Sequence, residues 1–337
     1  MLFGIGIYID LIHNSKDMKN ILVTGAGGFI ARHLVKSLLS HKEFELVLTD
    51  KSDLLKYPES SINSPRLYNL DVRDRGRVFD IFNEEKIDTC IHLAAEVNVE
   101  DSIKYPDKTM MVNVNGTLNV LDACVQKKVD NFIFASSAAV YGHPSRLPIP
   151  EEHELNPISP YGVSKLIAEQ HVSSYMRSKK IQKTISLRIF NAYGEGQVGN
   201  LSVLAKFAKK LSRGLAPVIY GDGMQIRDFV SIKDVVNAII LSIRAMDQNS
   251  ERFLSDPNWV FNIGTGVGTS IRDVCEEMIR LSGLDLRPVY QKADNKADIR
   301  ASCADITKAN NILKFVPKSN FKKDLQNLVT SMVTTKV

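Results

Sequence analysis

The chain has 337 residues, of which 44% are hydrophobic and 24% are charged, and its formal net charge at pH 7 is +5. This length allows a large hydrophobic core divided between two lobes, and the composition is that of an ordinary globular protein. The modest charge and the lack of a long lysine or arginine run argue against a nucleic-acid partner.

The first 17 residues are apolar at the start, without a preceding basic segment, and Asp10 interrupts the apolar stretch. The stretch is too short to span a bilayer, so we expect no membrane partner. We interpret residues 1–17 as a loose extension, with a membrane or partner anchor as the alternative. Met18 stands directly before the first predicted strand.

Apolar runs alternate with helical periodicity along the first half of the chain. We predict strands at 21–24, 45–49, 67–70, 88–93, 131–135 and 184–189, and helices near 29–40, 74–84, 109–127 and 161–178. This alternation predicts an α/β fold with a Rossmann-like, doubly wound parallel sheet at 18–190. We expect a smaller C-terminal α/β substrate-binding lobe at 191–337, with part of 228–264 packing back on the first domain.

A glycine-rich segment separates the first predicted strand from the first predicted helix. Gly25 and Gly28 allow the backbone to approach a pyrophosphate, whose charge is favoured at a helix N-terminus. Phe29 and Ile30 begin the helix and are further candidates for contact with a dinucleotide. The alternative is an ordinary glycine-rich turn.

Asp50 ends the second predicted strand. A carboxylate at this place accepts hydrogen bonds from the adenosine ribose and repels a 2′-phosphate, which favours NAD over NADP. Lys51 weakens the argument, because a cation beside Asp50 could receive that phosphate.

Ligands of doubly wound sheets bind at the carboxyl ends of the strands. The candidates after the third and fourth strands are Asp71, Val72, Leu93, Ala94 and Ala95. Asp71 could reach the adenine or, as an alternative, cap a helix that starts at Arg73. The two alanines indicate either close approach to a cofactor or simple tight packing.

Tyr161 and Lys165 are four residues apart in a predicted helix, so both side chains lie on one face. A phenol with a pKa of about 10 is a poor base at neutral pH, and a neighbouring ammonium is expected to lower that pKa. Ser137, after the fifth strand, supplies a hydroxyl that can hydrogen-bond a substrate oxygen. A tyrosine and a lysine at this spacing are usually a solvated helix face, but the upstream glycine turn favours an acid–base site.

The four cysteines are scattered, and no two have the Cys-x-x-Cys spacing. We therefore expect reduced, mostly buried thiols in a cytoplasmic protein. The seven histidines show no spacing typical of metal ligands, so we predict no metal site.

These features together resemble the extended short-chain dehydrogenase/reductase family, and within it the nucleotide-sugar 4-epimerases. The resemblance covers residues 19–315. The motifs that carry it are Thr24-Gly25-Ala26-Gly27-Gly28-Phe29-Ile30, His92-Leu93-Ala94-Ala95, Asn113-Val114-Asn115-Gly116-Thr117, Ser136-Ser137-Ala138-Ala139-Val140-Tyr141-Gly142, the Tyr161 and Lys165 pair, Arg188-Ile189-Phe190-Asn191, Gly221-Asp222-Gly223-Met224-Gln225-Ile226-Arg227-Asp228-Phe229 and Phe261-Asn262-Ile263-Gly264.

The resemblance implies an enzyme that binds NAD and inverts C4 of a UDP-hexose through a transient 4-keto sugar. It implies that Ser137, Tyr161 and Lys165 are catalytic and that Asn113 supports the active-site hydrogen bonds and the cofactor. It also implies that Asn191 and Arg227 contact the substrate diphosphate, although Arg227 could instead be a surface residue paired with Asp228.

Two other functions stay open at this point. One is a nucleotide-sugar reductase or dehydrogenase of the same family, and the other is a non-catalytic dinucleotide-sensing protein. The intact set of Ser137, Tyr161 and Lys165 argues against the sensor.

The chain departs from the family pattern at two places. Ala138 and Ala139 stand where family dehydratases have Asp-Glu, which argues against 4,6-dehydration. Asn295 stands where many 4-epimerases have an arginine, so Lys292, Lys296 or Arg300 is expected to contact the diphosphate instead.

Two further expectations come from the resemblance. Ser302 takes the place of the residue beside the sugar C2 group, where a small side chain admits an N-acetyl group; the alternative is that Ser302 lies on an unrelated loop. Family members also pair two helices of each subunit, so we expect a homodimer through helices 109–127 and 161–178, which carry Val114, Leu118, Leu121, Ile167 and Val172.

Overall fold

The computed structural model describes residues 18–52, 64–197, 202–248, 259–292 and 299–334. The predicted extension at 1–17 and the candidate positions Asn295 and Lys296 lie outside these residues. Within the described residues, none of the helices combines the length and the apolar character needed to cross a bilayer.

The strands and helices are numbered in chain order. The strands are β1 (Lys19–Thr24), β2 (Phe44–Asp50), β3 (Arg66–Asn69), β4 (Thr89–His92), β5 (Asn131–Ser137), β6 (Lys183–Ile189), β7 (Asn191–Tyr193), β8 (Val218–Tyr220), β9 (Ile226–Ser231), β10 (Val260–Ile263), β11 (Gly268–Ser270), β12 (Val289–Gln291) and β13 (Ala301–Ser302). The helices are α1 (Phe29–Leu38), α2 (Arg75–Glu84), α3 (Val99–Lys104), α4 (Pro106–Met110), α5 (Gly116–Gln126), α6 (Pro160–Arg177), α7 (Val203–Leu211), α8 (Ile232–Gln248), α9 (Ile271–Ser282), α10 (Thr307–Leu313) and α11 (Phe321–Thr334). A π-helical turn at Met111–Asn115 joins α4 to α5, and a 3-10 turn at Ala138–Val140 follows β5.

The central sheet has seven strands among the described residues, in the order β10-β6-β5-β4-β1-β2-β3. All neighbouring strands are parallel. The order reverses at β1, between β4 and β2, which is the place where doubly wound sheets bind nucleotides. The predicted α/β fold and the predicted strands and helices of the first half are confirmed.

Helices cover both faces of the central sheet, because each presents an apolar stripe at helical spacing. On one face, α1 buries Ala31, Leu34, Val35 and Leu38 against a core that also contains α8 and α10. On the other face, α2, α5 and α6 share a core with Leu22, Phe132 and Phe134 of the strands.

A second, smaller sheet is built around β9, which pairs with β11, β13 and β7. The two-stranded pair of β8 and β12 lies near it, and α7, α9 and α11 enclose a separate apolar core. The β10 strand instead pairs with β6, so residues beyond 228 return to the central sheet. This return brings the ends of the two sheets together around one cavity.

Candidate active site

A cavity of about 1210 Å³ opens at the carboxyl ends of the central strands. Its lining includes the glycine turn after β1, the ends of β2 to β6 and the residues of β7 to β9. Both sheets therefore contribute side chains to the same space, which is large enough for more than one small molecule.

The glycine turn is fixed by steric limits. Gly25 has φ +68°, and a Cβ there would lie 2.7 Å from the backbone of Ala94, which follows β4. Gly28 is the N-cap residue of α1, and no side chain accepts a hydrogen bond from the first N–H groups of the helix. The first turn of α1 therefore presents uncapped N–H donors to the cavity, as a pyrophosphate site requires.

Asp50 lies at the end of β2, facing this turn. Its carboxylate accepts hydrogen bonds from the Gly27 N–H at 2.9 Å and from the N–H and hydroxyl of Ser52 at 2.8 and 2.6 Å. A Cβ on Gly27 would lie 2.7 Å from the Ser52 hydroxyl oxygen. Asp50 thus braces the turn and lines the cavity, which fits the predicted contact with a ribose.

The remaining predicted cofactor residues of β3 and β4 also line the cavity. These residues are Asp71, Val72, Leu93, Ala94 and Ala95. Arg73 forms a forked ion pair with Asp71 at 2.6 Å and holds the pKa of that carboxyl below its usual range. The alternative role of Asp71 as a helix cap is wrong, because α2 starts at Arg75 and Asp74 accepts the capping hydrogen bond from the Arg77 N–H.

Tyr161 stands in the first turn of α6. The sequence sets this start: Ser159 accepts a capping hydrogen bond from the Gly162 N–H at 3.1 Å, and Pro160 occupies the first helical position. The Tyr161 N–H, which the helix leaves unpaired, donates to the Ser102 hydroxyl at 3.1 Å. The phenol is therefore held where α6 meets the end of β5.

The hydroxyl of Ser137 lies close enough to the phenol of Tyr161 to influence its pKa. Burial raises the Tyr161 pKa above its usual value, and the Ser137 hydroxyl opposes this effect. The expected lowering of this pKa by the neighbouring Lys165 is wrong for the chain alone, because desolvation of the phenolate is the larger effect.

Lys165 lies one turn further along α6 and is only 4% exposed. Its ammonium donates to the Ala135 carbonyl at 2.8 Å and lies 4.9 Å from the centre of the Phe134 ring. Burial lowers the pKa of Lys165 to about 7. An ammonium has three N–H donors, so Lys165 can also donate to a bound ribose. A buried donor that has no acceptor costs free energy, so ribose binding at this place is favoured.

His92 is buried below this site at the end of β4. Its two ring nitrogens lie 2.7 Å from the Thr24 hydroxyl and 3.0 Å from the Thr117 hydroxyl. Burial and the charge of Lys165 lower the His92 pKa to about 3, so the ring is neutral at ordinary pH. His92 therefore ties β1, β4 and α5 together without adding a second buried positive charge.

A third residue at the same spacing, Glu169, was not anticipated from the sequence. Glu169 accepts a hydrogen bond from the Ser136 hydroxyl and forms an ion pair with Arg188 of β6 at 2.6 Å, both side chains being 4% exposed. The signal was present, since Glu169 follows Lys165 by four residues and continues the face that begins at Tyr161. Three successive residues of this face, at 161, 165 and 169, therefore contact the last three residues of β5; we refer to these contacts as the α6–β5 contacts.

Asn113 lies in the π-helical turn and is 2% exposed. Its side-chain amide accepts from the Glu96 N–H at 2.8 Å and donates to the Glu96 carbonyl and the Ser164 hydroxyl, both at 2.9 Å. These bonds support the predicted role in the hydrogen-bond network of the site. Direct contact between Asn113 and the cofactor stays a prediction.

The second sheet supplies the predicted substrate residues Asn191 and Arg227, and both line the cavity. The Asp228 carboxylate points elsewhere: it accepts hydrogen bonds from the Thr265 N–H and hydroxyl and from the N–H groups of Gly266 and Ala304. Asp228 therefore fixes the loop behind the second sheet, while Arg227 stands on the cavity side as a candidate anion ligand.

Lys292 is one of the cations expected to contact the diphosphate in place of the arginine that the family has at position 295, and it lines the cavity. Arg300 forms a forked, exposed ion pair with Asp222 at 2.8 and 3.0 Å, outside the cavity lining. Ser302 lies on β13, in register with Arg227 of the parallel strand β9, rather than on an unrelated loop. Residues in register project from the same face of a sheet, so Ser302 and Arg227 share one face, but only Arg227 of the two lines the cavity.

Tyr220 is a further cavity residue that the sequence did not single out. It ends β8, is 56% exposed and lines the cavity beside Ile219. An exposed aromatic ring in a polar site offers a flat surface for a base. No group of three or more potential metal ligands occurs among the residues that the structure describes.

The fold and this site are those of a dinucleotide-binding enzyme, with a second sheet that faces the same cavity. Comparison with known sequences gives the family. The chain belongs to the NAD dependent epimerase/dehydratase family, whose family model matches residues 21–264.

Relatives and solved structures agree with this assignment. A putative UDP-glucose 4-epimerase of Methanocaldococcus jannaschii is 34% identical over 93% of this chain and 98% of its own length. The structure of a Thermotoga maritima UDP-glucose 4-epimerase with UDP-glucose matches 94% of this chain and 99% of its own, with 32% identity and a TM-score of 0.82. A UDP-N-acetylglucosamine 4-epimerase of Methanobrevibacter ruminantium, in complex with UDP-N-acetylmuramic acid, covers the same shares at 28% identity and a TM-score of 0.80.

Proposed function

We propose that this chain is an NAD-dependent epimerase that inverts C4 of a UDP-hexose through a transient 4-keto sugar. One observation carries the proposal: a single cavity joins the glycine turn, the neighbouring side chains of Tyr161 and Ser137, and Arg227. Such a cavity can hold a dinucleotide and a second, anionic ligand against the same acid–base group. The UDP-sugar complexes among the solved relatives support this choice of ligand.

The residues present fit NAD. Gly25 leaves no space for a Cβ, the first turn of α1 is uncapped, and Asp50 provides an acceptor for a ribose. Within the part of the chain that the structure describes, the buried Lys165 ammonium donates to one protein acceptor, the Ala135 carbonyl. When bound, NAD supplies the hydride acceptor and donor, and its positive nicotinamide ring favours the Tyr161 phenolate.

Tyr161 takes the proton of the C4 hydroxyl while C4 loses its hydrogen as hydride, and it returns the proton when hydride comes back to the opposite face. Ser137 donates a hydrogen bond to the reacting oxygen through both steps. Arg227 and Asn191 hold the diphosphate, so the 4-keto sugar can turn about that link between the two steps. The reaction begins and ends with the same redox state.

The test uses purified protein without added NAD. We expect UDP-galactose to be converted to UDP-glucose, with a transient absorbance of the reduced nicotinamide near its usual band. A requirement for stoichiometric NADH or NADPH would contradict the proposal and indicate a reductase. Complete inactivity with a panel of UDP-hexoses would indicate a dinucleotide-sensing protein instead.

The second part of the proposal concerns the substituent at C2 of the substrate sugar. We infer that Ser302, beside Arg227 on the second sheet, leaves room for an N-acetyl group, so that UDP-N-acetylglucosamine is a substrate as well. Ser302→Tyr should selectively remove activity on the N-acetylated sugars, whereas the control Ser302→Ala should keep activity on both classes. Equal effects of Ser302→Tyr on both classes would refute this placement.

We also propose a homodimer formed through α5 and α6. Leu121 and Val172 are fully buried in the chain itself, so they belong to its core rather than to the interface. Leu118 and Ile167 are only partly buried, and Met111 is 49% exposed, so these three are available to a partner. Sedimentation at micromolar concentration should give twice the chain mass, and a monomer there would contradict the interface.

Two other assignments stay predictions. The division into 18–190 and 191–337 is one of them, although residues 260–263 extend the central sheet. The cytoplasmic location is the other, and it is supported by four cysteines that are all free and buried.

A further inference from the structure

Two cations line the part of the cavity near Asp50. They are Arg32, in the first turn of α1, and Lys51, directly after β2. Asp71 also lines the cavity but is paired with Arg73, so Asp50 is the carboxylate that opposes the 2′-phosphate of NADP, and its barrier is weak beside these cations. Selection of NAD would therefore depend on whether Lys51 is available to that phosphate.

Lys51 is held by Glu96. Its ammonium lies 2.7 Å from a carboxylate oxygen of Glu96, and Lys108 lies 3.3 Å from the same oxygen. Partial burial raises the Glu96 pKa, but the two ammonium groups outweigh burial and lower it. Glu96 therefore carries its negative charge at neutral pH.

Glu96 cannot easily follow Lys51 toward a ligand, because its backbone is fixed on both sides. The Asn113 amide binds the Glu96 N–H and its carbonyl, and Asn113 is anchored to Ser164 of α6. The side chain of Glu96 is 22% exposed, compared with 58% for Lys51. The carboxylate is thus the fixed partner, and the lysine is the mobile one.

We propose that Glu96 is a cofactor-specificity residue: it keeps Lys51 away from the adenosine ribose and, with Asp50, sets the preference for NAD over NADP. This inference rests on the proposed function, since it assumes that the cavity holds a nicotinamide dinucleotide. It removes the conflict between Asp50 and Lys51 that the sequence alone left open.

The test measures retained cofactor rather than turnover. Each purified holoenzyme is incubated with equal, excess NAD and NADP, passed through a desalting column and denatured, and the released dinucleotides are quantified by chromatography. The set comprises the wild type, Glu96→Gln, Lys51→Met and the double variant. Glu100→Gln is the matched control, because it removes the same charge from a cavity residue that pairs with Lys206 and not with Lys51.

We expect the wild type to retain mainly NAD. Freeing one exposed lysine should raise the NADP to NAD ratio about three- to tenfold in Glu96→Gln. The double variant and Glu100→Gln should remain near the wild-type ratio. Because the Lys51 pair is exposed, the gain should shrink as salt is raised.

Three results would overturn the inference: an unchanged ratio in Glu96→Gln, an equal rise in Glu100→Gln, or the same rise in the double variant. Each would leave the proposed function intact as long as NAD is retained. A wild type that retains neither dinucleotide would instead overturn the proposed function together with this inference.

Discussion

Replacing Glu169 by glutamine should destabilise the protein strongly, although Glu169 makes no predicted contact with cofactor or substrate. The substitution keeps the shape of the side chain and removes its charge. Arg188 would then be buried at 4% exposure without its ion-pair partner. Its remaining hydrogen bonds, to the Tyr141 hydroxyl at 2.9 Å and the Glu151 carbonyl at 2.8 Å, involve only neutral acceptors.

Breaking one side of a buried ion pair costs about 3–5 kcal/mol, because the other charge stays desolvated. We expect a loss of free energy of unfolding in this range for Glu169→Gln. The double variant Glu169→Gln, Arg188→Met should lose less than the single one, since no unpaired charge is left. The control Glu152→Gln removes a charge from an exposed pair with Arg146 and should change stability by less than about 1 kcal/mol.

The assay is equilibrium unfolding in urea, followed by circular dichroism, with the same NAD content in every sample. A Glu169→Gln variant within 1 kcal/mol of the wild type would refute the reasoning, because the arginine would then have found solvent or another partner. A double variant that loses the sum of both single losses would also refute it, since the two residues would not act as a pair.

Three other predictions follow from the site. Tyr161→Phe should lower turnover about 10²–10⁴-fold while NAD is still retained, and a variant with more than a tenth of the wild-type rate would contradict the assigned base. The folded-state pKa of His92, about 3, lies below its usual value of 6.5, so its contribution to stability is complete above pH 6.5 and is lost as pH falls toward 3. In urea unfolding measured at several pH values, His92→Gln should lose less free energy of unfolding between pH 6.5 and 3 than the wild type does. An equal loss in both proteins would mean that other groups cause it. Gly25→Ala should abolish NAD retention because its Cβ would meet the Ala94 backbone, whereas the control Gly76→Ala should retain NAD.

Local patterns in the sequence were sufficient to predict most of the central sheet and its first helices. The glycine turn, the alternation of strands and helices and the spacing of Tyr161 and Lys165 are short-range features, so each could be interpreted within a window of a few residues. The start of α6 was equally local, since Ser159 and Pro160 mark it.

Long-range features were not predictable in the same way. The Tyr161 pKa depends on burial by distant segments, so spacing to Lys165 gave the wrong direction for the chain alone. The fixed position of Glu96 depends on Asn113, and the exposed pair of Arg300 with Asp222 joins residues far apart in sequence. Charge and spacing indicate which residues can take part in chemistry, whereas the fold decides which partner each one meets.

The α6–β5 contacts also bear on how this enzyme tolerates genetic change. Ser136 and Ser137 look redundant in the sequence, yet Ser136 donates to the buried Glu169 and Ser137 lies beside the phenol of Tyr161. Alanine at 137 should therefore appear as a slow but stable enzyme, and alanine at 136 as an unstable enzyme whose surviving molecules turn over normally. The same amino-acid change at two adjacent serines would thus produce different deficiencies: a lower turnover rate at 137, and a loss of folded protein at 136 that a lower growth temperature relieves.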